Sequence, residues 1–168
     1  MNYTFHLDSP LGKIVLASDG EVLTGLWFED QKYALKGLKA DAKECLLPVF
    51  EKTKLWLDRY FKGEEPDFMP PYQIKASDFQ MEVYAILSAI PYGETMSYSK
   101  IASMIAMKRG IRKMSAQAVG SAVSRNPICL IVPCHRVIGK NGELVGYAGG
   151  IERKKILLDL EKAHKKSS

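Results

Sequence analysis

Cysteine is scarce in this chain of 168 residues, which holds three: Cys45, Cys129 and Cys134. An odd and sparse set excludes a disulfide framework and fits a reducing, intracellular compartment in which a thiol stays reduced. The expected location is the cytoplasm, or the nucleus for a eukaryotic source. Histidine is equally scarce, at three residues. A tetrahedral site takes four ligands, and the first half offers only His6 and Cys45, so no metal is expected. No apolar run approaches the roughly 20 residues that cross a bilayer. The start, "MNYTFHLDSPLGK", lacks the basic and apolar regions of a secretory signal, so no membrane is expected as a partner. Internal repeats and low-complexity tracts are also missing. What is present, 46% hydrophobic and 26% charged residues, is the composition of a folded globular protein.

The length suits one large domain or two small ones. Net charge is +5, unevenly spread. Residues 1–75 carry 10 Lys/Arg against 12 Asp/Glu, and residues 76–168 carry 14 against 7. A basic half is what a polyanion-binding domain shows, and an ordinary solvated basic face looks the same by charge alone. The first half has strand-like runs at 3–7, 13–17 and 22–28, punctuated by the turn signals "DSPLG" and "SDGE". A helix is predicted over 44–62, with Leu46, Phe50, Leu57 and Phe61 on one stripe and Gly63 past its end. The proline-rich "GEEPDFMPPYQIKAS" reads as the linker. The expected domains are therefore 1–75, a small α/β domain, and 76–168.

The second half reads as helical. "SDFQ" at Ser77–Gln80 fits a capping box, Ser97 and Ser115 can cap two further helices, and Asn126-Pro127 stops the third. "GKNGEL" offers an Asn-Gly hairpin turn, and a last helix runs from about Ile151 to Ala163. Three helices followed by a strand pair resemble a winged helix-turn-helix. In "SAQAVGSA" (Ser115–Ala122), six of eight residues are Ser, Ala or Gly. A helix so stripped of bulk either enters a narrow groove, such as the minor groove of DNA, or is squeezed against another helix. Gln117, its one long polar residue, is correspondingly a probe tip or a solvent residue. The basic connector "AMKRGIRKM" is either a solvated loop or a phosphate contact.

"NPICLIVPCHRVIG" (126–139) carries the most chemistry. Ile128, Leu130, Ile131 and Val132 read as a buried strand that Pro133 ends by removing a ladder donor. Cys134 and His135 then fall where the chain leaves the core. The alternative is a core thiol beside a solvent-exposed imidazole.

That segment, with "IPYGETMSY" before it and "VGYAGGIERKKILLDLE" after it, resembles the O6-alkylguanine-DNA alkyltransferases, also called methylated-DNA–protein-cysteine methyltransferases. The resemblance covers 77–162 and is weak in the N-terminal part. It implies an α+β fold: a ribonuclease H-like N-terminal α/β domain with antiparallel strands and a helix, then a C-terminal winged helix-turn-helix domain. It implies repair of double-stranded DNA containing O6-alkylguanine by irreversible transfer of the alkyl group to the protein, with base flipping. O4-alkylthymine is a further candidate substrate. Cofactors are none, and the state is a monomer. Cys134 matches the alkyl acceptor, His135 the group that works on it through a water, Glu161 the carboxylate that holds the histidine, and Asn126 the asparagine that ties the recognition helix to the active-site turn. Tyr98 matches a tyrosine that contacts the damaged base and helps turn it out. Tyr147 and Ala148 match the loop closing the base pocket, the carbonyls of Cys134 and Val137 would accept from guanine, and Lys154 matches a lysine near the pocket. Gln117 stands where many members have an arginine that fills the flipped base's place, and Arg125 and Lys140 are the cations expected on DNA.

The chemistry fits these residue types. Only a thiolate is nucleophilic enough to take a methyl group from guanine O6, and a relay Glu161–His135–water–Cys134 raises its fraction. Two other readings compete, the first of them built on Cys134, His135 and Glu161. A cysteine hydrolase would turn over, and a binding module that does not repair would lack the acceptor.

Overall fold

The computed structural model describes residues 2–31 and 42–165. The chain divides into two compact units, residues 1–74 with 127–129, and residues 75–126 with 130–168.

The first unit is a four-stranded sheet and a helix. Strands β1 (Tyr3–Leu7), β2 (Ile14–Ser18), β3 (Leu23–Phe28) and β4 (Lys43–Glu44) lie in the order β3-β2-β1-β4. The two expected turns close the antiparallel pairs β1–β2 and β2–β3. Ser9 and Gly12 exchange backbone bonds of 3.1 Å around "SPLG", and Asp19 Oδ1 accepts from the amides of Glu21 and Val22. All of β2 is buried, as a central strand covered on both faces must be. On one face Val15, Ala17 and Trp27 form a cluster. The Trp27 ring lies where a Cβ on Gly25 would stand, 2.2 Å from it, so only glycine fits there. On the other face Phe5 pairs with Leu16 and stacks on Phe50 of helix α1 (Pro48–Phe61) at 6.2 Å between centroids.

Helix α1 starts later than the expected Glu44. Lys43 and Glu44 are instead strand β4, parallel to β1, and Pro48 occupies the first helical position, where its missing N–H costs nothing. The buried stripe is accordingly Val49, Phe50, Thr53, Trp56, Leu57 and Tyr60, while Leu46 is exposed. The proline-rich stretch read as linker partly belongs to this unit. Leu23 donates to Pro71 O and accepts from Gln73 N, and Arg59 lies over the Phe68 ring. Pro127–Cys129 also joins: Leu26 donates to Pro127 O (2.8 Å) and accepts from Cys129 N (3.0 Å). Both short segments cover the open edge of β3, which would otherwise present unpaired backbone groups.

The second unit holds α2 (Asp78–Ser88), β5 (Met96–Ser97), α3 (Tyr98–Arg109), α4 (Ala116–Ser124), a one-turn 3₁₀ helix (Cys134–Arg136), β6 (Val137–Ile138) and α5 (Ile151–His164). Ser77 and Gln80 form the capping box, and Ser97 and Ser115 cap α3 and α4 as expected. Gly110, at φ 67°, ends α3 in the left-handed conformation that glycine takes without strain. Val83, Leu87, Ile101, Ile105, Val119 and Val123 are buried, and Tyr84 donates to Ala122 O at 2.9 Å. The strand pair is not the expected hairpin. β6 pairs in parallel with β5, which precedes α3. The turn at "GKNG" forms, with Gly142 N donating to Gly139 O and Gly139 N to Glu143 O, but it leads into irregular chain.

Candidate active site

The predicted strand over 128–132 is a single bridge, Leu26 with Ile128. Leu130 then takes a positive φ of 71°, the one such non-glycine residue among those described. A β run cannot continue through that conformation, so the chain turns, although Ile128 to Val132 are all buried as expected. Periodicity reads burial, and a buried turn gives the same apolar run as a buried strand.

Pro133 has φ −81° and ψ 68°, and Cys134 N donates to Val132 O at 2.8 Å. These values define an inverse γ-turn centred on the proline. Asn126 Nδ2 donates to the same Val132 carbonyl at 2.8 Å. Asn126 stands just after α4, so one buried amide links the end of that helix to the turn that delivers Cys134.

Cys134, His135 and Arg136 form the 3₁₀ turn, and Cys134 is 2% exposed. The ring of His135 is fully buried, with Nε2 2.5 Å from Glu161 Oε2. Arg136 reaches the same carboxylate twice, Nε to Oε1 at 2.8 Å and Nη2 to Oε2 at 3.2 Å. Gly93 N–H donates to Oε1 at 3.0 Å. Burial pushes the Glu161 pKa upward, but the hydrogen bonds and charges of His135 and Arg136 outweigh it and hold the carboxyl at about 2. Glu161 is therefore an anion and an acceptor, and Nε2 of His135 must carry hydrogen. Burial pulls the His135 pKa below its ordinary value, the pull of Glu161 notwithstanding. A neutral imidazole with its proton on Nε2 is able to accept another on Nδ1.

Lys154, on α5, is fully buried and donates to Val145 O at 3.1 Å, with its ammonium 5.8 Å from the Tyr98 ring centroid. Burial brings its pKa down to about 8, against the opposing pull of the Cys134 charge. The Tyr98 hydroxyl is pushed up to about 12 by burial and then by Cys134. It lies 3.0 Å from Val145 O and 3.1 Å from Gly146 O. Tyr98 and Lys154 thus both grip the loop that carries Tyr147 and Ala148, which are half-buried. Val137 is buried in β6, and its N–H donates to Cys134 O, which takes one of that carbonyl's two lone pairs. Gln117, Arg125 and Lys140 are exposed, on α4, at its C-cap and in the turn after β6.

Sequence reasoning passed over Arg136 and Gly93. The signal for Arg136 was its place directly after His135 in "PCHRV"; Gly93 read only as a helix breaker in "PYGE". Among the described residues no group of three or more His, Cys, Asp or Glu could hold a metal ion, and His6 pairs with Glu44 at 3.2 Å.

Comparison with known proteins gives a consistent result over both units. The family model for the "6-O-methylguanine DNA methyltransferase, DNA binding domain" matches residues 78–163, and that for the ribonuclease-like domain of the same family matches 1–73. The methylated-DNA–protein-cysteine methyltransferase of Mycobacterium leprae is 44% identical over 159 residues, 93% of this chain and 90% of that protein. That of Haemophilus influenzae is 41% identical over 95% of this chain and 86% of its own. The crystal structure of Mycobacterium tuberculosis O6-methylguanine methyltransferase superposes with a TM-score of 0.85 at 41% identity, covering 100% of this chain and 97% of that one. The Mycobacterium tuberculosis OGT in complex with DNA superposes with a TM-score of 0.83 at 41% identity, over 96% and 94%.

Proposed function

The chain belongs to the 6-O-methylguanine DNA methyltransferase family, and from that premise we propose that it repairs O6-alkylguanine in double-stranded DNA by transferring the alkyl group to its own Cys134. The observation that carries the residue assignment is the buried contact of His135 with Glu161 beside Cys134, in which His135 and Arg136 hold the carboxyl pKa down and burial lowers that of the imidazole.

The thiol proton passes to Nδ1 of His135, directly or through one water, while Nε2–H stays on Glu161, whose charge steadies the imidazolium that forms. The Lys154 ammonium offsets the thiolate's charge. Sulfur then attacks the alkyl carbon; the S–C bond forms as the C–O6 bond breaks, and the electron pair goes to the purine oxygen. Tyr98 and the backbone near Ala148 supply donors for that charge. To do so the Tyr98 hydroxyl must first leave the Val145 and Gly146 carbonyls. The carbonyls of Cys134 and Val137 accept from the exocyclic amine. The target atom is inside the duplex, so the base is turned out of the stack. Gln117 on α4 occupies the gap, and Arg125 and Lys140 face phosphates. The product thioether has no route back to the thiol, so each molecule acts once. It acts as a monomer, in the cytoplasm.

The test is incubation with a duplex carrying a labelled O6-methylguanine, followed by peptide mapping. The label is expected on the Cys134 peptide and absent from a Cys134→Ala variant that still binds DNA. Label on Cys129, or transfer persisting without Cys134, sinks the assignment.

A further inference from the structure

Glu161 is saturated. Oε1 accepts from Gly93 N and Arg136 Nε, and Oε2 from His135 Nε2 and Arg136 Nη2. These four bonds use the roughly four acceptor positions a carboxylate has. Arg136 is itself fixed on its other side: Nη1 donates to Ile90 O at 2.7 Å, and the guanidinium lies 5.7 Å from the Tyr92 ring centroid. Gly93 reaches Glu161 from a corner at φ 80°, where a Cβ would stand 2.9 Å from the Lys165 side chain.

We propose that Arg136 is a positioning residue of the transfer reaction: by bridging both oxygens of Glu161 it aims the carboxylate at Nε2 of His135 and offsets enough of its charge to keep the imidazole neutral until Cys134 releases its proton. This rests on the relay reading of Cys134, His135 and Glu161. The reason is electrostatic. A lone buried carboxylate beside an imidazole would favour the imidazolium permanently, and a histidine already protonated cannot take the thiol's proton. The charged groups acting on His135 are Glu161 and Lys154 on α5 and Arg136 in its own turn; Cys134, next to it in the chain, acts on Tyr98 of α3 and on Lys154. Burial presses the imidazole toward neutrality most strongly, Arg136 and then Lys154 add to it, and Glu161 opposes them. Arginine suits the task, since its planar fork spans two oxygens where a lysine places one point charge.

The test is the pH–rate profile of transfer from a methylated duplex, measured for wild type, Arg136→Gln, Arg136→Lys and Glu161→Gln, with the His135 ring titration followed by ¹⁵N NMR. In Arg136→Gln the acid limb and the His135 titration should both move up by about one pH unit, because the cation opposing the imidazolium is gone. The plateau should fall about tenfold or more, as for other groups that orient a reacting partner. Arg136→Lys keeps the charge, so its limb should return toward the wild-type position while its plateau stays low. A limb and a titration unmoved in Arg136→Gln, with only stability lowered, would reduce Arg136 to a structural ion pair. Should Arg136→Gln not fold, a wild-type plateau in Arg136→Lys overturns the bridging role. Glu161→Gln as fast as wild type sinks the relay itself; a slow Glu161→Gln beside an unmoved Arg136→Gln sinks only the proposal.

Discussion

In the proposed relay Glu161, by holding Nε2 of His135, decides which nitrogen carries the resting proton and leaves Nδ1 for the chemistry. It does this only while ionised, and four donors keep it so. Glu161→Gln keeps the shape but removes the charge that steadies the imidazolium. Transfer should slow by roughly 10²–10⁴-fold, the range of an acid–base group. A variant as fast as wild type across neutral pH would make Glu161 a carboxylate without a part in the reaction. The same residue predicts a pH effect on stability. Its carboxyl goes from an ordinary 4.5 to about 2 on folding. Between those values the unfolded chain binds the proton first, so the stabilisation is whole above about 4.5 and disappears as pH falls to about 2. Denaturant midpoints should therefore drop less between about pH 5 and about pH 3 in Glu161→Gln than in wild type. Equal drops would show that this carboxyl does not drive the acid transition.

At the scale of elements, α4 is distinguished by what it lacks. Val119, Ala122 and Val123 turn inward and are buried, while Gln117, Ser121 and Arg125 stay exposed, so the helix has one apolar face and one low polar face. Gly120 lies against Tyr98, near enough that a Cβ would touch its ring at 3.7 Å. If that polar face enters the minor groove, Gln117→Ala should cost mainly base flipping, since unstacking takes a few kcal/mol that the side chain partly offsets. Transfer to a methylated duplex should fall much more than transfer to the free modified base. Equal losses would place Gln117 in the base pocket, and no loss on either would make it a solvent residue. Gln117→Arg should steepen the salt dependence of duplex binding by adding a cation. In the sheet, Gly25→Ala would drive a methyl into the Trp27 ring. The expected cost is about 1–3 kcal/mol, seen as a lowered denaturant midpoint with altered Trp fluorescence. An unchanged midpoint would mean that the ring moves aside freely.

For the molecule as a whole, the prediction is one of count. A thioether is not hydrolysed under mild conditions, and nothing in the relay returns a proton or a leaving group to it. Transferred methyl should never exceed one equivalent per chain, however large the excess of substrate. Several turnovers would point to a hydrolase built on the same three side chains. The charge asymmetry belongs to this scale too: residues 76–168 hold 14 of the 24 Lys/Arg and only 7 of the 19 Asp/Glu. Affinity for any duplex should accordingly weaken as salt rises.

Much was legible in the sequence because it is local. Caps at Ser77, Ser97 and Ser115 and the turns at Ser9 and Asp19 depend on side chains bonding their own backbone within three or four residues. Motif spacing likewise singled out Cys134 and His135, since they are neighbours in the chain. Only the tertiary structure decided what rests on distant pairings. Lys43–Glu44 became a strand because β1 lay alongside, against the helical signal that follows it. The apolar run at 128–132 became a turn because Pro127–Cys129 was taken by the edge of β3 and Asn126 took hold of Val132 O. Arg136 and Gly93 gained their meaning from Glu161, 25 and 68 residues away. Apolar spacing reports which residues leave water; which polar atoms they bury beside one another is settled by packing.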